Sequence, residues 1–149
     1  MMKIKICGIT RLEDALSSIK HGADALGFVF AESKRKILPV QCSKILKKLP
    51  SIINTVGVFR NNDKDFIKEV LSICPLSTLQ FHGDEDEDFC LSFNRPVIKA
   101  IGVSNIEDLK QINNFPNIST ILIDGKNPGS GKTFDHSILN NVPKDKYIL

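Results

Sequence analysis

Short apolar runs alternate with segments of helical periodicity along the whole chain. Residues 4–7, Ile-Lys-Ile-Cys, read as a short strand. Thr10 and Glu13 then form a T-x-x-E capping box, the mark of a helix start. Leu12, Ala15, Leu16 and Ile19 follow at helical spacing, and Gly22 marks the stop. The same unit recurs. Residues 25–30 are a near-continuous apolar strand, and 39–49 a helix with Pro39 suited to its first turn. Residues 52–59 form a strand, and 64–73 a helix whose inner face is Phe66, Ile67, Val70 and Leu71. A strand at 78–81 precedes a helix at 85–93. The next strand is 97–101, and Ser104 with Glu107 makes a second capping box, opening a helix through Leu109 and Ile112. Residues 120–123 form a strand, a short helix lies near 134–139, and 147–149 begin another strand.

Strand starts recur at the spacing of βα units. Strands apolar on both faces, each followed by a helix, indicate a parallel sheet covered by helices. An open doubly wound sheet and a closed barrel both fit. The polar residues favour the barrel. Cys7-Gly8, Ser33 and Arg35, Arg60-Asn61, Gln80 and His82-Gly83, Lys99 and Asp124 sit at strand C-terminal ends. Barrels place their sites there, on nearly every βα loop, whereas an open sheet concentrates its site at one switch point. The expected fold is α/β: a (β/α)8 TIM barrel, incomplete at the C-terminus, with about six βα units and the start of a seventh strand. Residues 1–149 form one domain.

Composition narrows the function classes. Of 149 residues, 42% are hydrophobic and 25% charged, enough for one core. The net charge is +3, and the longest basic cluster is Lys34-Arg35-Lys36. That is too short for a nucleic-acid stripe, while a small positive excess suits an enzyme for anionic metabolites. The cysteines, Cys7, Cys42, Cys74 and Cys90, contain no C-x-x-C pair, so neither a zinc site nor a disulfide framework is expected. Scattered free cysteines fit a reducing cytoplasm. The N-terminus lacks the apolar region of a signal peptide, and no run reaches membrane-spanning length.

Several residues carry candidate chemistry. Cys7 is either a small buried hydrophobe or a general base. Gly8 allows close backbone approach to a ligand. Lys5 shares the face of Cys7 by strand alternation, where an ammonium would favour the thiolate. Asp124 is either a turn aspartate or a general acid at a barrel mouth. Gly129-Ser130-Gly131-Lys132-Thr133 resembles a P-loop but has Lys126 where the pattern needs glycine. ATP binding is therefore not expected. The loop is either flexible or presents backbone N–H groups to an anion. Arg35 is either a solvated charge or a fork for a carboxylate or phosphate. His82 is either an acid–base group or, the favoured reading, a residue that shapes the site, while His21 and His136 read as structural and surface residues. The three histidines lack metal-ligand spacing.

A set of motifs resembles one family. Lys5-Ile6-Cys7-Gly8-Ile9-Thr10, Gly27-Phe28-Val29-Phe30, Ser33-Lys34-Arg35, Val56-Gly57-Val58-Phe59, residues 79–85 (Leu-Gln-Phe-His-Gly-Asp-Glu) and residues 129–135 occur in the order of phosphoribosylanthranilate isomerases. The resemblance implies an Amadori rearrangement of N-(5-phosphoribosyl)anthranilate in tryptophan biosynthesis, without metal or cofactor. By that resemblance Asp124 protonates the furanose ring oxygen, Cys7 removes the C2 proton, and Arg35 holds the anthranilate carboxylate. Gln80, His82, Gly129, Gly131 and Lys132 would complete the substrate site.

Two departures stand out. His136 replaces a usual tryptophan, with a small packing effect expected. The sequence stops at Leu149, inside strand seven, where the family continues through two more glycine-rich loops that form its main phosphate site. Unpaired sheet edges would then favour self-association or a complementing C-terminal fragment, and isomerase activity of these residues alone should be low. A non-catalytic barrel remnant acting as a binding module is the alternative. A related histidine-pathway isomerase resembles a two-aspartate pattern, with Cys7 standing where one aspartate would be needed.

Overall fold

Seven strands lie side by side in chain order, all parallel: β1 (Lys5–Cys7), β2 (Ala25–Val29), β3 (Asn54–Phe59), β4 (Thr78–Phe81), β5 (Val97–Val103), β6 (Thr120–Gly125) and β7 (Tyr147–Ile148). The computed structural model describes residues 3–125, 137 and 147–148. Between the strands run α1 (Leu12–Lys20), α2 (Pro39–Leu46), α3 (Lys64–Ile73), α4 (Glu87–Leu91) and a 3₁₀ helix, Ile106–Asn114. The sequential order decides between the two architectures. A doubly wound sheet reverses its strand order. This one never does. With crossovers of one hand, every helix falls on the same face, and the other face is covered only if the sheet curls on itself. That is the pattern of the (β/α)8 barrel, with seven of its strands among the described residues.

Register assigns the faces. Leu79, Phe81, Ile101, Ile121 and Ile123 pack with Ala15, Ile67, Val70 and Leu109 from the helices in one outer core. Aromatic rings bind this layer laterally. Phe30 stacks on Phe59 at 5.3 Å, Phe59 meets Phe81 at 6.1 Å, and Phe81 meets the edge of Phe89 at 5.9 Å. Such pairs add to the area they bury. On the opposite face, Val29, Ala31 and Val58 form a small cluster with Cys7 packed against it.

Some helix starts differ from the sequence reading. Arg11, not Thr10, occupies the N-cap of α1 and makes no side-chain cap bond. Gly22, at φ +93°, ends that unit as expected. The second capping box uses Asn105 and Asp108 rather than Ser104 and Glu107; Ser104 instead bonds to Asp108 through both its N–H and its hydroxyl. Helix α4 begins at Glu87 because Asp86 caps it, its carboxylate accepting from Phe89 N–H at 2.8 Å. Glu85 is thereby released from the helix. Strands β5 and β6 each run two residues past their expected ends, so Asp124 lies inside a strand, in register with Gly102. The expected helix near 134–139 falls almost wholly outside the described residues.

Candidate active site

Cys7 ends β1 opposite Gly27 of β2. A Cβ at Gly27 would lie 2.8 Å from the Cys7 sulfur, so glycine leaves the thiol its space. The other three thiols are buried. Burial pushes Cys42 and Cys74 up, and Cys90 up to about 12, so all three stay protonated and inert. Cys7 alone is half-buried and opens on a cavity.

Gly8 adopts φ +89°, where a side chain is strained. The approach expected there is that of a ligand; the group that lies across Gly8 here is the Arg35 side chain. Arg35 Nη1 donates to the Cys7 carbonyl at 3.0 Å, and Ser33 Oγ accepts from Arg35 N–H at 3.1 Å. The Arg35 guanidinium is thus tied to the residue carrying the thiol. Lys5 lines the same cavity as Cys7, as alternation requires, but its ammonium donates to Gln80 Oε1 at 2.6 Å. Gln80 is 2% exposed.

Across the cavity, His82 Nε2 lies 3.7 Å from Asp124 Oδ2. The other carboxylate oxygen accepts from Gly125 N–H at 2.7 Å. Burial lowers the His82 pKa, Asp124 opposes that, and Arg60, Lys5 and Lys99 add to the lowering. His82 is therefore neutral near pH 7. Cys7, Lys5, Arg35, Arg60, His82 and Asp124 line one cavity of about 660 Å³, within the usual range for small-molecule sites. A neighbouring cavity of about 360 Å³ shares Arg60 and His82 and continues to Gly83, Glu85 and Lys99.

Lys99 is not at a strand end facing the main cavity. It pairs in register with Phe81 and Ile121, so it points into the sheet–helix layer. There its ammonium bonds Glu85 Oε2 at 3.0 Å and the Gly83 carbonyl at 2.7 Å, and it lies over the Phe115 ring. Glu85 in turn accepts from Asn61 N–H at 2.6 Å and Gly83 N–H at 2.9 Å. This network was missed by the sequence reading. Its available signal was a lysine inside the apolar strand Val97-Ile98-Lys99-Ala100-Ile101, which cannot be buried without a partner.

Gly129, Gly131, Lys132 and His136 lie outside the described residues. No cluster of three or more His, Cys, Asp or Glu suited to a metal ion occurs among the described residues. No helix among them is long and apolar enough to cross a membrane.

A thiol and a carboxylate facing one cavity, with arginine and lysine charges around them, suit a proton-transfer enzyme for a small anionic substrate. The family model for N-(5'phosphoribosyl)anthranilate (PRA) isomerase matches residues 4–149. The isomerase of Hahella chejuensis is 45% identical, over 99% of this chain and 72% of its own length. That of Nitrosomonas europaea is 42% identical, over 93% and 68%. The crystal structure of the Thermotoga maritima isomerase superposes with a TM-score of 0.86 at 46% identity, over 93% of this chain and 70% of that one. Another solved isomerase, in complex with reduced 1-(o-carboxyphenylamino)-1-deoxyribulose 5-phosphate, gives a TM-score of 0.83 at 42% identity, over 93% and 69%. The chain belongs to the N-(5'-phosphoribosyl)anthranilate isomerase family, whose members act in tryptophan biosynthesis.

Proposed function

We propose that this chain carries out the family's Amadori rearrangement with Asp124 as general acid and Cys7 as general base. The observation that carries this reading is that Cys7, from β1, and Asp124, from β6, line one cavity with Arg35. Asp124 donates a proton to the furanose ring oxygen. The C1–O bond breaks toward that oxygen while the nitrogen lone pair forms a C1=N iminium. The Cys7 thiolate removes the proton on C2. The C–H electron pair becomes a C1=C2 bond, and the iminium pair returns to nitrogen. The resulting enolamine tautomerises, giving a ketone at C2 and a methylene at C1. Atoms and charge balance within one molecule, so the sequence consumes no cofactor.

Arg35 holds the anthranilate carboxylate beside the base, since its guanidinium is anchored to the Cys7 carbonyl. Gln80 acts indirectly, fixing the Lys5 ammonium. His82, neutral and beside Asp124, bounds the acid's side of the cavity. Gly129, Gly131 and Lys132 stay with the substrate site on sequence grounds alone. The test is loss of substrate fluorescence on addition of the protein, compared with Cys7→Ser and Asp124→Asn. Equal turnover by all three would overturn the assignment.

β1 stands at one edge of the described sheet, and Ile4 and Ile6 there are each 40% exposed. A strand edge with no partner strand among the described residues favours pairing with a second copy or a complementing fragment, which sedimentation at rising protein concentration would detect. Four free cysteines, three of them buried, suit a reducing cytoplasm.

A further inference from the structure

The Glu85–Lys99 pair has features that stability does not explain. The side chains are 4% and 3% exposed. Burying two charges is costly, and apolar replacements of similar volume are often no worse. What an apolar pair could not do is bond to backbone. Here Glu85 accepts from Gly83 N–H and Lys99 donates to the Gly83 carbonyl, so both polar groups of one residue are gripped by the pair. Glu85 also holds Asn61 N–H. Asn61 itself sits at φ +54°, accepts from Asp84 N–H at 2.7 Å and donates to the Asp84 carboxylate at 3.0 Å. The loops after β3 and β4 are thereby locked to each other and to β5.

The gripped residue directly follows His82. His82 N–H donates to the Phe59 carbonyl at 2.9 Å, extending the β3–β4 ladder. With its own amide on β3 and its neighbour clamped to β5, the His82 backbone has little freedom. Its ring reaches 3.7 Å from Asp124 on β6. We infer that the buried Glu85–Lys99 pair is a positioning device that holds His82 against Asp124 by clamping Gly83. It touches neither the cavity's thiol nor its carboxylate, and acts only through His82. The inference rests on Asp124 being the acid for its functional meaning, but not for its geometry.

The test reads geometry without turnover. In ¹⁵N-labelled protein the His82 ring is followed through a pH titration, its signal identified by loss in His82→Gln. Asp124 raises the His82 pKa, so Asp124→Asn lowers it; the size of that shift measures how closely the two are held. The same Asp124→Asn step is then taken in a Glu85→Gln/Lys99→Met background, where both charges are removed together. We expect the shift to fall by half or more. A smaller reduction overturns the inference, as does the absence of any shift in the parent protein. Gly83→Ala provides a second background with no charge changed, because a Cβ there would run into Asn61 Oδ1. It should also at least halve the shift. An isomerase assay that fails while this coupling is lost as expected would count against the proposed function and leave the clamp intact.

Discussion

The two sides of the cavity are built by different means. On the side of β1 and β2, Cys7 is placed by shape: Gly27 vacates room for the sulfur, and Val29, Ala31 and Val58 pack beside it. Its carbonyl accepts from Arg35. On the side of β4 to β6, Asp124 is surrounded by polar structure: His82, the Gly125 amide and, behind them, the Glu85–Lys99 clamp. The difference matches the two tasks proposed for these residues. A sulfur that must reach a C–H proton needs access and clearance. A carboxylate that must deliver a proton needs its surroundings fixed, because its readiness depends on nearby charge.

The contrast can be broken from either side. The largest effect is expected at the reacting groups: Cys7→Ser and Asp124→Asn should each lower kcat/KM by about 10²–10⁴ in a fluorescence assay. Next, Lys99→Met should cost about 3–5 kcal/mol in denaturant unfolding, because Glu85 is left charged and unpaired. Lys99→Met with Glu85→Leu should restore much of it. Gly27→Ala should cost about 1–3 kcal/mol by overpacking, and should alter Cys7 alkylation, while leaving the His82 titration unchanged. That would show the two sides to be separable. The smallest effect concerns pH. The folded-state pKa of His82 is depressed, so its contribution to stability is present above the ordinary histidine value and is lost as pH falls through the lowered one. Stability should decline on acidification below about pH 6.5. His82→Gln should flatten that part of the profile, as measured by melting temperature.

Regular elements and the reactive groups near strand ends are legible in the sequence; the clamp is not. The pattern marks helix α3 and strand β4 to the residue, because Phe66, Ile67, Val70 and Leu71 define one helical face and Thr78–Phe81 is bounded by polar turns. Cys7, Arg35 and Asp124 stood out because reactive side chains follow apolar strands. The clamp was hidden for two reasons. By sequence pattern Lys99 reads as a strand-end group, but β5 continues to Val103, and pairing with Phe81 and Ile121 sets its face. Glu85 looked like the first residue of a helix, but Asp86 takes the cap and turns Glu85 inward. Local pattern could not reveal either, since the partners come from separate βα units. The same holds for Gly8, whose freedom serves Arg35, 27 residues away in sequence (35 − 8).

The strictly sequential strand order also bears on how the molecule assembles. Each strand finds its neighbour within one βα unit, so the sheet grows through short loop closures, the inexpensive kind. Cys7 and Asp124 are separated by 117 residues (124 − 7) and come to face each other only after six strands have curled together. A chain folded as far as β5 would possess the proposed base, the arginine and the clamp, yet lack the proposed acid. Catalytic competence should therefore arrive late in folding, after most of the core is already buried.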